Sequence, residues 1–136
     1  MPLVHLHMST DITDEVRDAV CAATQGALVR ALDVPANDLF QIVSRHEPAE
    51  LKASPTWPGH IRREQILYIE MLMTPMYDDD AKARMYTAVA DDVSACGIRR
   101  EDIFIAITEN RSADWMAGTA WPDSCHFSPT GRVAAL

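Results

Sequence analysis

Two hydrophobic periodicities alternate along the chain, and their order occurs twice. Short β-type apolar runs, Leu3 to Met8 and Ile66 to Met73, each precede a longer segment in which apolar residues recur every three or four positions. That spacing predicts an amphipathic helix. Each predicted helix is followed by a further β-type run, Leu39 to Ser44 and Ile103 to Thr108. The pattern therefore predicts strand, helix, strand, written twice.

The helix boundaries carry recognisable signals. Thr10, Asp11 and Thr13 offer capping oxygens before the first helix, and Val34-Pro35 ends it because proline cannot continue a helix. Asp78 to Asp80 place negative charge at the positive end of the second helix, and Gly97 suits a left-handed stop. The predicted buried stripes are Val16, Val20, Ala23, Ala27 and Ala31 in the first helix, and Met85, Val89, Val93 and Cys96 in the second.

The two halves align at a shift of 64 positions. Asp38 to Val43 then falls on Asp102 to Ile107, and Asp14 falls on Asp78. This correspondence indicates an internal duplication. Because β-α-β crossovers are right-handed and place parallel strands in one sheet, two copies predict an α/β fold of the α+β kind. Its four-stranded, mainly parallel-paired sheet carries both helices on one face. We expect the opposite face to be apolar and to be covered by self-association.

Length and composition predict a single domain. Its 136 residues are 48% hydrophobic, enough for one substantial core. We divide it into a first repeat at about 2–46, a linking loop at about 47–65, a second repeat at about 66–110 and a C-terminal segment, 111–136.

Charge and cysteine usage exclude several classes of partner. The formal net charge is −8, which disfavours nucleic acid and anionic membranes as partners. The three cysteines, Cys21, Cys96 and Cys125, show no paired spacing and are typical of reduced thiols in a cytoplasmic protein. We find neither a membrane-length apolar run nor an export signal.

The candidate catalyst is the second residue. Pro2 follows the initiator methionine and starts the first predicted strand; once Met1 is removed, it presents a secondary amine. An α-amino group titrates near roughly 8, and burial lowers that value. A buried prolyl nitrogen is therefore a candidate base or acid near neutral pH. At the shift of 64, Pro2 aligns with Ile66, so only the first copy carries this amine.

These residues resemble the tautomerase superfamily, and most of all the branch of malonate semialdehyde decarboxylase. The resemblance is carried by Pro2-Leu3, by Val34 to Gln41, by Gly97 to Asn110 and by Ala113-Asp114-Trp115. It implies a MIF-like homotrimer with active sites near the subunit boundaries and Pro2 at the floor of an apolar pocket.

The resemblance also suggests site residues. Asp38 stands where the decarboxylase branch has an aspartate that pairs with the proline and helps to activate water; the competing interpretation is a turn aspartate. The branch's arginines after the third strand are missing, because Met73 to Tyr77 contains none. The proposed replacements are Arg62, Arg63 and His60, with Arg45 and Arg111 as further choices. Trp115 stands where the family lines the pocket with an aromatic ring.

Two histidines of the first predicted strand are candidate metal ligands. His5 and His7 alternate on the first strand and so face the same side, but no third or fourth ligand stands at a suggestive spacing. We therefore predict no metal site and no cofactor.

The preferred function is keto-enol tautomerisation of a small keto, enol or unsaturated acid, with Pro2 moving the proton. One alternative is a hydratase or decarboxylase of a 3-oxo, acetylenic or haloacrylic acid such as malonate semialdehyde. A further alternative is a non-catalytic trimeric binding protein. The missing arginines favour the tautomerase slightly.

Overall fold

The computed structural model describes residues 2–59 and 65–117. Its regular elements are, in order, β1 (Leu3–Ser9), α1 (Asp14–Leu32), β2 (Gln41–His46), β3 (Leu67–Met73), α2 (Asp79–Ala95) and β4 (Ile103–Glu109), with short 3₁₀ turns between some of them. The strand order in the sheet is β2-β1-β3-β4. The predicted duplication and element order are confirmed.

The sheet is mixed, and its symmetry follows from the duplication. Within each repeat the strands pair in parallel, β1 with β2 and β3 with β4, whereas the repeats meet through an antiparallel pairing of β1 with β3. Leu3 lies opposite Leu72 and His5 opposite Glu70. The two strands of each parallel pair are therefore joined by a crossover connection that contains the helix. Because such connections are right-handed, both helices lie on the same face of the sheet.

The core lies between the sheet and the two helices. Alternate residues of β1 and β3 point into it, as the two-residue period of a strand requires. It is lined by Val4, Leu6, Met8, Leu67, Ile69, Met71 and Met73 from the strands, and by Val20, Ala27, Leu28, Met85, Val89 and Val93 from the helices. Val16, Ala23, Ala31 and Cys96 of the predicted stripes are only partly buried, whereas Leu28 and Leu32 are buried.

Capping follows the sequence closely. The Thr13 side chain accepts from Val16 N at the start of α1, and Asp78 accepts from Ala81 N at the start of α2. Gly97 has a φ of 100°, the left-handed conformation that glycine adopts without steric cost. Its counterpart 64 positions earlier is Asp33, also left-handed with a φ of 55°, so α1 ends before Val34-Pro35.

The open face of the sheet differs from the prediction. Its centre carries His5, His7, Ser44, His46 and Glu70, which contact one another. Apolar side chains, such as Leu3, Ile42, Leu72 and Phe104, surround this polar centre. The expectation of an apolar face was therefore wrong at its centre, because strand register brings polar residues from three strands together.

Candidate active site

Pro2 is buried and lies one residue before β1. Because Leu3 pairs with Leu72, the antiparallel register places Pro2 opposite Met73. Val4 N donates to Phe40 O at 2.9 Å, and Asn110 N donates to Met73 O at 2.9 Å. The starts of β1 and β2 and the ends of β3 and β4 therefore meet at one edge of the sheet. We call this the proline edge: Pro2, Asp38–Phe40, Met73–Tyr77 and Asn110–Trp115.

Asp38 belongs to the proline edge and is half-buried. Its backbone N donates to Pro35 O at 2.9 Å, and Gln25 Nε2 donates to its carbonyl at 3.3 Å. The second repeat has the same turn, in which Asp102 N donates to Arg99 O at 2.9 Å. Asp102, however, is buried with 2% exposure and has Arg99 beside it. The two aspartates thus share a turn and differ in surroundings, and Asp38 is the one that lies at the same end of the sheet as Pro2.

Tyr77 is a residue of the proline edge that sequence reasoning did not select. Burial, with smaller contributions from the carboxylates of Asp38 and Asp33, raises the pKa of the Tyr77 phenol. The phenol therefore stays protonated at neutral pH and can donate a hydrogen bond. Its position in the stretch that lacks arginines was the available signal, but the neighbouring carboxylates come from a different part of the chain.

Trp115 also reaches the proline edge. It follows the short 3₁₀ turn Ser112–Asp114, and its Nε1 donates to Asn110 Oδ1 at 2.7 Å. Asn110 itself is held by Met73 O. These two hydrogen bonds hold the Trp115 ring beside the end of β3. The indole is half-buried and is not part of the buried core cluster.

The candidate cations are distributed unequally. Arg45 lies near the opposite end of β2, paired with Met8, and binds Asp14 at 2.7 Å, so the structure removes it from the site. Arg111 lies at the proline edge, where it forms a two-point contact with Asp114. Arg62, Arg63 and His60 lie outside the described residues.

One described cavity, of about 420 Å³, lies at the outer edge of β4 and is lined by Trp57, Tyr86 and Phe104 among others. A second cleft of about 270 Å³ opens on the sheet face beside Leu3 and Leu72. Neither is lined by Pro2 or Asp38.

The fold and the candidate site place the chain in a class of small α/β proteins that have tandem β-α-β repeats and a buried proline as second residue. Comparison with known proteins identifies the family within this class. The tautomerase enzyme family matches residues 38–118. "Probable tautomerase YusQ" of Bacillus subtilis (strain 168) is 24% identical over 119 residues, which cover 87% of this chain and 94% of that protein. "Probable tautomerase YrdN" of the same organism is 26% identical, with 87% and 92% covered.

Solved structures agree with this result. FG41 malonate semialdehyde decarboxylase inhibited by 3-bromopropiolate is 30% identical with a TM-score of 0.84, covering 89% of this chain and 92% of that one. A fused 4-OT symmetric trimer, at 16% identity and a TM-score of 0.75, shares the fold over 90% and 97% of the two chains. The chain belongs to the tautomerase family and is an enzyme of that superfamily. The resemblance inferred from the sequence is confirmed.

Proposed function

We propose that Pro2, freed by removal of Met1, is the general base and acid of a keto-enol tautomerisation on a small carbonyl or unsaturated carboxylic acid. The observation that carries this proposal is the burial of Pro2 at an edge shared by all four strands. A buried amine is more easily held neutral than one in water. It can then remove a proton α to a carbonyl and return it to the conjugated carbon.

Asp38 and Tyr77 complete the proposed proton-transfer site. Asp38 orients the prolyl nitrogen or a water molecule, since a carboxylate accepts a hydrogen bond from either. Tyr77, kept protonated, donates to the oxygen on which negative charge develops, and such donors contribute much of enzymatic rate enhancement. Trp115, fixed through Asn110, forms an apolar wall.

The proposed anion site is supplied by the loop between the repeats. Arg62 is the preferred ligand, with Arg63 and His60 beside it, because a guanidinium binds a carboxylate through two hydrogen bonds. This loop leaves β2 at His46 and enters β3 at Leu67, both at the edge opposite Pro2. Arg62 is three residues from Gln65, a reach of at most about 11 Å, whereas β3 is about 20 Å long.

Because β3 begins at the end of the sheet opposite Pro2, we infer that Arg62 serves the Pro2 of a neighbouring copy. This arrangement requires an oligomer, and a homotrimer is consistent with the trimeric 4-OT structure to which the fold is similar. We further infer a single domain with the four segments predicted above, acting in the cytoplasm. Among the described residues, none of the helices has the length and apolarity needed to cross a membrane.

The second candidate function is a decarboxylase or hydratase acting on a substrate such as malonate semialdehyde. The observation in its favour is the 30% identity to malonate semialdehyde decarboxylase. In that reaction protonated Pro2 polarises the substrate while Asp38 directs water. The superfamily assignment argues against a non-catalytic trimer, because it makes the chain an enzyme.

The first experiment measures the intact mass of the native protein and then compares Pro2→Ala with wild type on phenylenolpyruvate and 2-hydroxymuconate. We expect loss of the initiator methionine and a fall in kcat/KM within or below the roughly 10²–10⁴-fold range of general-base catalysis, because alanine replaces the secondary amine with a primary amine that lacks the fixed geometry of the ring. Retained Met1, or an equally active variant, contradicts the proposal. Asp38→Asn separates the two functions: selective loss of CO₂ release or water addition supports the second.

The second experiment co-expresses Pro2→Ala with Arg62→Ala. If each site uses Pro2 of one copy and Arg62 of the next, random mixing restores about one quarter of the sites to the wild-type combination. Activity at substrate concentrations below KM should then exceed that of either variant alone. Activity no higher than that of the separate variants would show that Arg62 serves its own chain or none.

A further inference from the structure

The open face of the sheet brings three histidines and a glutamate together from three strands. His5 and His7 lie on β1, His46 on β2 and Glu70 on β3. The strand register creates this cluster. His5 lies opposite Glu70, and His46 lies opposite Ser9, two residues after His7, so that His46 is the diagonal neighbour of His7. It includes the two histidines whose alternate spacing was noted in the sequence, and it supplies the further ligands that sequence spacing did not reveal.

The distances within the cluster suit a metal ion. One ligand atom each from His5, His7 and Glu70 lies within 4.8 Å of the other two. His7 Nε2 is 3.4 Å from Glu70 Oε2. Bonds of about 2.0–2.1 Å arranged as a tetrahedron place neighbouring ligand atoms about 3.4 Å apart. The His7 and Glu70 atoms thus already have this separation. A small rotation of the His5 side chain would bring its ligand nitrogen from within 4.8 Å of these atoms to bonding distance of the ion.

We propose that His5, His7 and Glu70 bind a divalent transition metal, with Zn²⁺ as the preferred ion. Two imidazoles and one carboxylate form a donor set that zinc accepts, with a fourth position left for water or another ligand. A cleft of about 270 Å³, lined by His5 and Glu70 among apolar neighbours, gives that position access from the open face. The proposal does not depend on catalysis by Pro2.

His46 and Ser44 act as positioning residues for the two histidines. His46 Nε2 contacts His7 Nδ1 at 2.9 Å, the nitrogen that does not face Glu70. Ser44 Oγ is 2.7 Å from His5 Nε2, which leaves Nδ1 for a different partner. Metal-binding histidines characteristically have their second nitrogen held in this way, which fixes the tautomer and the ring orientation.

The electrostatic setting also suits a cation. Burial, then the neighbouring His7, lowers the pKa of His5, partly offset by Glu70. A neutral imidazole is the form that binds a metal. Closely packed imidazoles disfavour protonation because the resulting like charges repel, whereas a divalent ion with a glutamate ligand satisfies all three donors. The competing thiols are less suited, since burial raises the pKa of both Cys21 and Cys96.

The test uses the full chain, stripped with a chelator and then dialysed free of it. Titration with Zn²⁺ in a calorimeter should show one equivalent per chain, and Co²⁺ should give the visible absorption of a four- or five-coordinate ion. Binding should weaken as the pH falls below about 6.5, where imidazole is protonated. Absence of saturable binding by either ion overturns the proposal.

Variants identify the ligands. His7→Ala and Glu70→Gln should abolish the stoichiometric site; the Glu70 side chain is 65% exposed, so its amide variant leaves the fold intact. His46→Gln should weaken binding by roughly 10–100-fold, as loss of an outer partner does. The control replaces Cys21, Cys96 and Cys125 with serine and should bind normally. Loss of binding in that control, or wild-type affinity in Glu70→Gln, overturns the assignment.

Discussion

At the scale of single residues, the two histidines of β1 illustrate how local sequence and distant partners combine. The two-residue period correctly placed His5 and His7 on one side of a strand, and their ring centroids are 4.0 Å apart. Their partners could not be predicted, since His46 is 39 residues from His7 and meets it only through strand register. The same is true of Tyr77: burial raises its pKa most, and the carboxylates that add to the shift come from another turn.

The lowered pKa of His5 predicts how stability depends on pH. Its ordinary value is 6.5, and burial lowers the folded-state pKa below it. As the pH falls through about 6.5, the unfolded chain therefore takes up a proton that the folded chain resists, and stability decreases. We expect the unfolding free energy of wild type to fall between pH 8 and pH 5 more steeply than that of His5→Gln.

The measurement is urea unfolding. Protein concentration is held fixed, because the stability of an oligomer depends on the concentration of its chains. A chelator is kept in every sample so that metal binding does not contribute to the slope. The groups facing His5, namely His7, His46 and Glu70, remain in both proteins, so the difference in slope reports His5. Equal slopes, or a steeper slope in the variant, would contradict the assigned direction.

At the scale of elements, the duplication was the most predictive feature of the sequence. Both helices, all four strands and the caps Thr13 and Asp78 were found from periodicity and capping chemistry, because these depend on residues close in sequence. The end of α1 was placed too late because Asp33, the counterpart of Gly97, adopts the left-handed conformation without being glycine. Aspartate tolerates that conformation better than most residues.

Two glycines with opposite roles give a matched stability prediction. Gly97→Ala should destabilise by about 1–2 kcal/mol, because its φ of 100° is strained for any residue with a Cβ. Gly26 is inside α1, where alanine is favoured by roughly 0.5–1 kcal/mol. Its new Cβ would meet only the tip of Arg30 at 3.3 Å. That guanidinium is exposed and its ion pair with Asp92 is at the surface, so a shift of a few tenths of an ångström costs little. Gly26→Ala should therefore stabilise.

Chemical unfolding of both variants beside wild type checks the pair. An added Cβ at Gly97 has no heavy-atom neighbour within 4 Å, so its cost would come from backbone conformation and not from a clash. Shifts of the same sign for the two variants would mean that one of these local conformations is wrongly assigned.

At the scale of the whole molecule, the site that we propose is only partly contained in one chain. Pro2, Asp38, Tyr77 and Trp115 are brought to one edge by the sheet topology, and that convergence follows from the repeat. The position of the Arg62 loop relative to Pro2 could not be read from sequence, because it depends on which end of the sheet the loop leaves and on which copy lies beside it. The polar centre of the open face was missed because it depends on the register between three strands.

We expect the chain to assemble in a way that covers the apolar rim of the open face. Phe104 and Ile42 are 38% and 47% exposed on this face, which is a high exposure for large apolar side chains in a chain without a partner. We expect a native mass of three times the 15.1 kDa of one chain. Phe104→Glu places a charge on the rim and should shift the light-scattering mass towards that of one chain, because burial of an unpaired charge is costly.

The control is Ala22→Glu, on an exposed position of α1. It adds the same charge away from the sheet and should leave the mass unchanged. If both variants remain trimeric, Phe104 lies outside the interface; if wild type is monomeric, Arg62 of a neighbouring copy cannot reach Pro2.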